Sequence, residues 1–254
     1  MPLQSVTLDA LTIDDEPSFG HVGLYGRLKR ALRQSGHRFL VPSDGETASW
    51  DRAVFLNLTY WDGTGGDDVL CDDHLPADVV AHVAFHHVVA QQLGPTRTAA
   101  GVLFAESIAS AFDLYLVGRL LTNAPDSEFI TTQVPIMSEA AEAAGASEDE
   151  FAALMDAVMR DPEAAFEDLR RLLFDAATAL HACRDASAAQ LVLEGLESHR
   201  FAPLLHHYQL SNWILYARAY AADAPDDTVA RLDAALREAP VAIDWIDAQW
   251  VGEV

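Results

Sequence analysis

Three side chains with metal-ligating chemistry stand at spacings that let them meet. His82 and His86 are four residues apart. On a helix they lie about 40° apart around the axis and project from one face. Two imidazoles so placed can share one metal ion. Glu106 follows His86 by twenty residues, in a second apolar segment, and Gly94-Pro95 lies between the two. A turn at that dipeptide folds the second segment back on the first and brings the carboxylate toward the imidazoles. Two histidines and one carboxylate leave coordination positions open, as in catalytic zinc sites and in non-haem iron oxygenases. A carboxylate in an apolar helix is costly unless it has a partner, which favours a shared role for Glu106.

Further groups stand nearby in the pattern. Asp78 lies one turn before His82, and Ser110 and Asp113 share a helical face with Glu106 at i+4 and i+7. Metal-bound histidines commonly hand their other N–H to such a group; alternatively, the two aspartates would complete a two-metal site. Downstream, His199-Arg200-Phe201 precedes His206-His207-Tyr208-Gln209, a third wall for a pocket. If the site hydrolyses a substrate, Asp113, Asp78, His206 and His207 are the candidate bases. His87 points about 140° away from His82 and reads as structural. The plainer alternatives are a buried helix pair with hydrogen-bonded polar residues, caps or ion pairs for the aspartates, and a polar patch between helices for His206 and His207.

The elements that must hold these residues fall into two stretches. The first seventy or so residues are mixed. Ser5–Ile13 alternates loosely, His21–Gln34 has helical spacing, and His37–Val41 reads as a short strand. Ala53–Tyr60 is the best strand pattern in the chain. Asp62–Asp68, with its glycines, lacks the ligand spacing of a calcium loop and reads as a solvated turn. From Pro76 onward the pattern is helical: Pro76–Leu93, apolar almost all round; Thr98–Leu121; a helix opening near Pro135 and stopping at Gly145; Ser147–Arg160 behind a capping box; and Asp161-Pro162 opening a helix to Cys183. Ala186–Gly195, Phe201–Ala221 and Asp227–Glu238 continue the helical run. The tail Ile243–Trp250 carries two tryptophans suited to docking.

The order of strand, His-bearing helix, Gly-Pro break and Glu-bearing helix resembles the active-site half of gluzincin-type zinc metallopeptidases. Their signature is His-Glu-x-x-His with a third ligand, Glu, on the next helix. Here the first part reads His82-Val83-Ala84-Phe85-His86, and the resemblance runs from about Val54 to Leu121. It implies metal ligands at His82, His86 and Glu106, and zinc as the metal. The family's general base follows the first histidine, and that position is Val83 here. The resemblance therefore implies a degenerate, metal-binding relative without the usual peptidase mechanism, a pseudoenzyme or an enzyme of altered chemistry.

Bulk composition narrows the classes. Sixteen Lys and Arg stand against 39 Asp and Glu, a net charge of −23. Such a surface repels phosphate backbones and anionic lipid, so neither nucleic acid nor a membrane surface is an expected partner; a small molecule or a protein is. Two distant cysteines, Cys71 and Cys183, make no disulfide framework. The N-terminus carries no signal-peptide pattern, and a cytoplasmic setting is expected. The expected fold is α+β and mostly helical: one domain over 1–254, with a sheet-containing part over 1–75, a helical body over 76–254, a possible seam near 125–145 and a zincin-like core. Two other readings stay open. One is a non-haem iron oxygenase using the same triad. The other is a helical scaffold without catalysis, docking through an apolar patch around Trp245 and Trp250.

Overall fold

A computed structural model describes residues 3–42, 58–59, 68–70, 72–94 and 96–252. It is mostly helical with two small sheets. The chain divides into two compact units, Met1–Ala84 with Val254 and Phe85–Glu253.

In the first unit, β1 (Leu3–Thr7) pairs antiparallel with β3 (Arg38–Pro42), Leu3 opposite Pro42. Strand β3 pairs parallel with β5 (Asp68–Val69), which pairs antiparallel with β4 (Leu58–Thr59), giving the order β1-β3-β5-β4. The strand expected over Ala53–Tyr60 lies outside the described residues except for Leu58–Thr59, as do Cys71 and the turn before Asp68. A 3-10 turn at Leu8–Ala10 splits the expected Ser5–Ile13 strand, and β2 (Thr12–Asp14) pairs instead with β6 (His74–Pro76) in a second, parallel sheet. The Asp14 carboxylate accepts from His74 Nδ1 at 2.9 Å across that ladder, which raises the imidazole pKa. After the short α1 (Glu16–Phe19), helix α2 (Gly23–Ser35) buries Leu24, Tyr25, Leu28 and Leu32, the one-sided stripe of an amphipathic helix. It ends at Gly36, whose φ of 70° is the left-handed cap that glycine adopts without a steric penalty.

Helix α3 (Ala77–Leu93) carries the paired histidines, and the division between the units falls within it. It is not buried all round, as its composition led one to expect. Val80, Ala81, Ala84, Phe85, Val88 and Val89 are buried, while His82, Val83, His86 and His87 form a half-exposed stripe. The chain turns at Gly94, φ 79°, into α4 (Ala99–Asn123).

Helix α4 is the spine of the second unit. It is long and apolar enough to cross a membrane, but 78% of its apolar window is buried inside the protein, the mark of a core helix. It packs against α6 (Glu148–Arg160), α7 (Pro162–Ala182) and α9 (Leu210–Tyr220). Gly118 permits the closest approach. A Cβ there would stand 2.8 Å from the Val158 carbonyl oxygen and 3.1 Å from Pro162 Cβ. The capping box at Ser147 and Glu150 and the Asp161 cap before Pro162 form as their sequences predict.

Two helices differ from expectation. Helix α5 (Glu128–Ala143) starts seven residues before Pro135, because Ser127 caps it by accepting from Ile130 N–H, and the proline is carried inside. The run expected over Phe201–Ala221 breaks into a 3-10 turn at Ala202–Leu204 and then α9, since Gln209 takes φ 48°. Helix α8 (Ala186–Leu196) buries no residue, and α10 (Asp227–Glu238) is tied to α7 through Arg170. That guanidinium is fully buried and bonded to Glu167 and to Asp233 at 2.7 Å each. The tail forms α11 (Ala242–Ile246) and a π-helical turn that buries Trp250. The exposed patch expected around Trp245 and Trp250 is therefore not an open surface. Apolar exposure lies instead at Leu191 and Leu215.

Candidate metal centre

The site is built from two consecutive helices. The helical repeat of α3 sets His82 and His86 on its half-exposed stripe. Beneath them Phe85 packs on Phe112 of α4, with ring centroids 4.4 Å apart. That contact seats the two helices and presents Glu106 to the histidines. His86 Nε2 and Glu106 Oε2 are 3.6 Å apart, with about a third of each side chain exposed (32% and 27%). One ligand atom from each of His82, His86 and Glu106 lies within 4.8 Å of the other two.

This spacing fits a shared ion. Tetrahedral coordination at about 2.0–2.1 Å places donor atoms about 3.3 Å apart, against separations of up to 4.8 Å here. Two imidazoles and a carboxylate suit zinc and Fe(II) alike. The partial exposure leaves one side of the group open to a ligand.

The other residues singled out by the sequence fall in different places. Asp78 and Asp113 do not join the ligand group among the described residues, and the two-metal arrangement gains no support. The charge of Asp78 acts on Tyr25 of α2, whose pKa is raised chiefly by burial. Ser110 is buried on α4. The Asp113 charge acts on His207. Burial holds the His207 imidazole below its ordinary pKa, and the Asp113 charge opposes that shift. His207 Nδ1 is buried with no hydrogen-bond partner among the described residues. Tyr208 beside it is raised by burial and by Asp113. His206 is exposed and lines a separate groove of about 1070 Å³ between α8 and α9, with Leu193 and Leu215; none of the triad lines it. His87 bonds to Gln91 at 2.8 Å.

Sequence reasoning missed one long-range pair, Arg97 with Tyr216. Arg97 Nη1 donates to the Tyr216 hydroxyl, and the guanidinium lies 5.8 Å from the Tyr216 ring centroid. The Tyr216 pKa is raised, first by burial; Arg97 lowers it and the Glu106 charge raises it, so this hydroxyl stands within electrostatic reach of both. Backbone bonds hold the Arg97 segment to Ala222. Ala222 N–H donates to the Arg97 carbonyl at 2.9 Å and Ala99 N–H to the Ala222 carbonyl at 3.0 Å. Thr98 caps α4 and donates to Asp226 at 2.6 Å. Arg97 and Tyr216 are 119 positions apart, and no local pattern announces a contact of that range.

Comparison with protein-family models, with characterised proteins and with solved structures found no match for this chain.

Proposed function

We propose that this chain is a metal-binding protein with a zincin-like core, in which His82, His86 and Glu106 hold a single zinc ion and the usual peptidase mechanism is absent. The observation that carries this reading is the convergence of the three ligand atoms within 4.8 Å, at residues whose order and spacing resemble the gluzincin ligand set. A zinc ion on three protein donors supplies Lewis acidity and a position open to a ligand or water. The chain's own residues shape the rest. His82 and His86 orient on one helical face. Val83 puts an apolar side chain where the family keeps its base. Tyr216 offers a protonated hydroxyl held by Arg97. The same donor set supports a non-haem iron oxygenase as the second reading.

The test is metal content by elemental mass spectrometry on protein purified without a metal-affinity tag, for wild type and for His82→Ala with His86→Ala. Close to one zinc per chain, lost in the double variant, is the expected result. Iron in that stoichiometry moves the assignment to the oxygenase reading. No stoichiometric metal, even after reconstitution with both ions, removes both.

A further inference from the structure

Helix α8 is eleven residues long, carries Leu191, Val192, Leu193 and Leu196, and buries no residue. A helix of that length is marginal in water on its own, and helices in proteins draw most of their stability from a packed apolar face. Leu193 is 39% exposed, and Leu215 of α9 is 63% exposed. Both line the groove of about 1070 Å³, whose buried lining includes Leu205, Leu210 and Ile214. A second cavity of about 330 Å³, reaching Phe151 and Leu154 of α6, shares Ala144, Glu197 and Pro203 with the first, so the two form one trough. The whole exceeds the roughly 300–1,000 Å³ of a small-molecule site. An open apolar trough of this kind takes the apolar face of a helix.

The trough is one-sided in charge. Glu197 belongs to both cavities and stands at their junction, and Glu194 lines the larger one. Neither carboxylate has an ion pair among the described residues, and Glu194 accepts from the Gln190 amide at 2.8 Å. The guanidiniums in the lining are engaged elsewhere. Arg218 donates to the carbonyl oxygens of His181 and Cys183 at 2.8 Å each, and Arg200 pairs with Asp168 at 2.6 Å. A second copy of this chain is a poor occupant. A two-fold contact sets the same patch against itself, which puts the carboxylates of both copies into one interface between chains of net charge −23. A basic partner meets the opposite balance on the same surface.

We propose that this trough receives an amphipathic helix of a basic partner protein, with apolar residues at i, i+4 and i+7 between Leu193 and Leu215 and a Lys or Arg against Glu197. Docking supplies the packing that α8 lacks. None of the metal ligands lines the trough, so the proposal stands apart from the metal reading.

The test uses the full-length chain and a panel of three fluorescein-labelled 15-residue peptides of Leu, Ala and Lys. They share leucines at i, i+4 and i+7 and differ in the register of the lysines. Each has a scrambled control of the same composition, which keeps the attraction to an acidic chain and removes the apolar face. Anisotropy titrations are run on wild type, on Leu193→Ser with Leu215→Ser, and on Glu194→Gln with Glu197→Gln. All four side chains are exposed, so melting temperatures should match wild type. At least one peptide should bind saturably, with its scrambled control about tenfold or more weaker. The leucine pair should cost about tenfold or more in affinity, since the apolar burial of two side chains is lost. The glutamine pair should cost severalfold at low salt and less at high salt. Amide exchange over α8 should slow when the peptide is bound. Equal binding of the scrambled controls, affinity indifferent to the leucine pair, or no binding by any of the three peptides overturns the proposal. So does a wild-type dimer in sedimentation that the leucine pair dissociates, which would assign the trough to a second copy.

Discussion

Zinc should stabilise the folded chain, and by an amount set by mass action. The three donors are already gathered on α3 and α4, with His86 Nε2 and Glu106 Oε2 at 3.6 Å against the roughly 3.3 Å of a tetrahedral set. All three ligand atoms lie within 4.8 Å of one another, so the ion meets a set that is already gathered. In the unfolded chain Glu106 is twenty residues from His86 and has no reason to approach it, so the ion discriminates strongly between the two states. At a free zinc concentration a hundred times its dissociation constant the gain is about 2.7 kcal/mol. For a chain of this length each kcal/mol moves the melting temperature by about 2–4 °C, which gives a rise of about 5–11 °C. Thermal unfolding followed by far-ultraviolet circular dichroism, with and without zinc, measures it directly. Glu106→Gln should lose most of the rise, and His82→Ala with His86→Ala should abolish it. Exposed carboxylates bind divalent ions weakly and offer a competing explanation. If the double variant shows the wild-type shift, or magnesium reproduces it, the triad is not the origin of the effect and the reasoning fails.

Two further outcomes follow from packing and burial. Gly118→Ala should destabilise the second unit by about 1–3 kcal/mol, because its Cβ meets the Val158 carbonyl oxygen and Pro162 at distances only a backbone shift relieves; a urea midpoint equal to wild type would contradict that close approach. His207 should make the protein acid-sensitive. Burial lowers its pKa, with Asp113 opposing, so the unfolded state binds the proton first. Stability is then full above the unfolded imidazole value of about 6.5 and falls as pH drops through the lower folded value. His207→Leu should flatten part of that slope in urea titrations between pH 7.5 and 5. His199, also lowered by burial, should leave a remainder, and an unchanged slope in the variant would refute the assignment.

What the sequence made legible was local. Ser147 with Glu150, and Asp161 before Pro162, declare their helix starts because a cap needs only a few residues at fixed offsets. The triad was legible for the same reason: two histidines within one turn, then a carboxylate across one glycine turn. Three features needed tertiary context. Pro135 reads as a helix start, yet Ser127 caps an earlier one and the proline is carried within it. The composition of α3 reads as buried on every side, yet the stripe of His82, Val83, His86 and His87 is half-open. Arg97 and Tyr216 meet only because Ala222 is stitched to Arg97 and Ala99, a contact between distant segments that leaves no periodic trace. The strand pattern over Ala53–Tyr60 lies outside the described residues except for β4.

The residue at position 83 argues for holding a ligand over activating water. Hydrolysis at a bound ion needs an acceptor for the proton of the attacking water. On α3 the position beside His82 that would supply one is Val83, half-exposed on the same stripe and apolar. The Glu106 charge acts on Tyr216, whose hydroxyl accepts from Arg97. Asp113, the next carboxylate along α4, lies seven residues on, about 10 Å by helical rise, and its charge acts on His207 and Tyr208. Introducing Val83→Glu should test the division. If acceptor loss is what separates this site from a hydrolase, the variant gains zinc-dependent cleavage of activated esters. A variant that binds zinc and shows no such cleavage would refute that explanation.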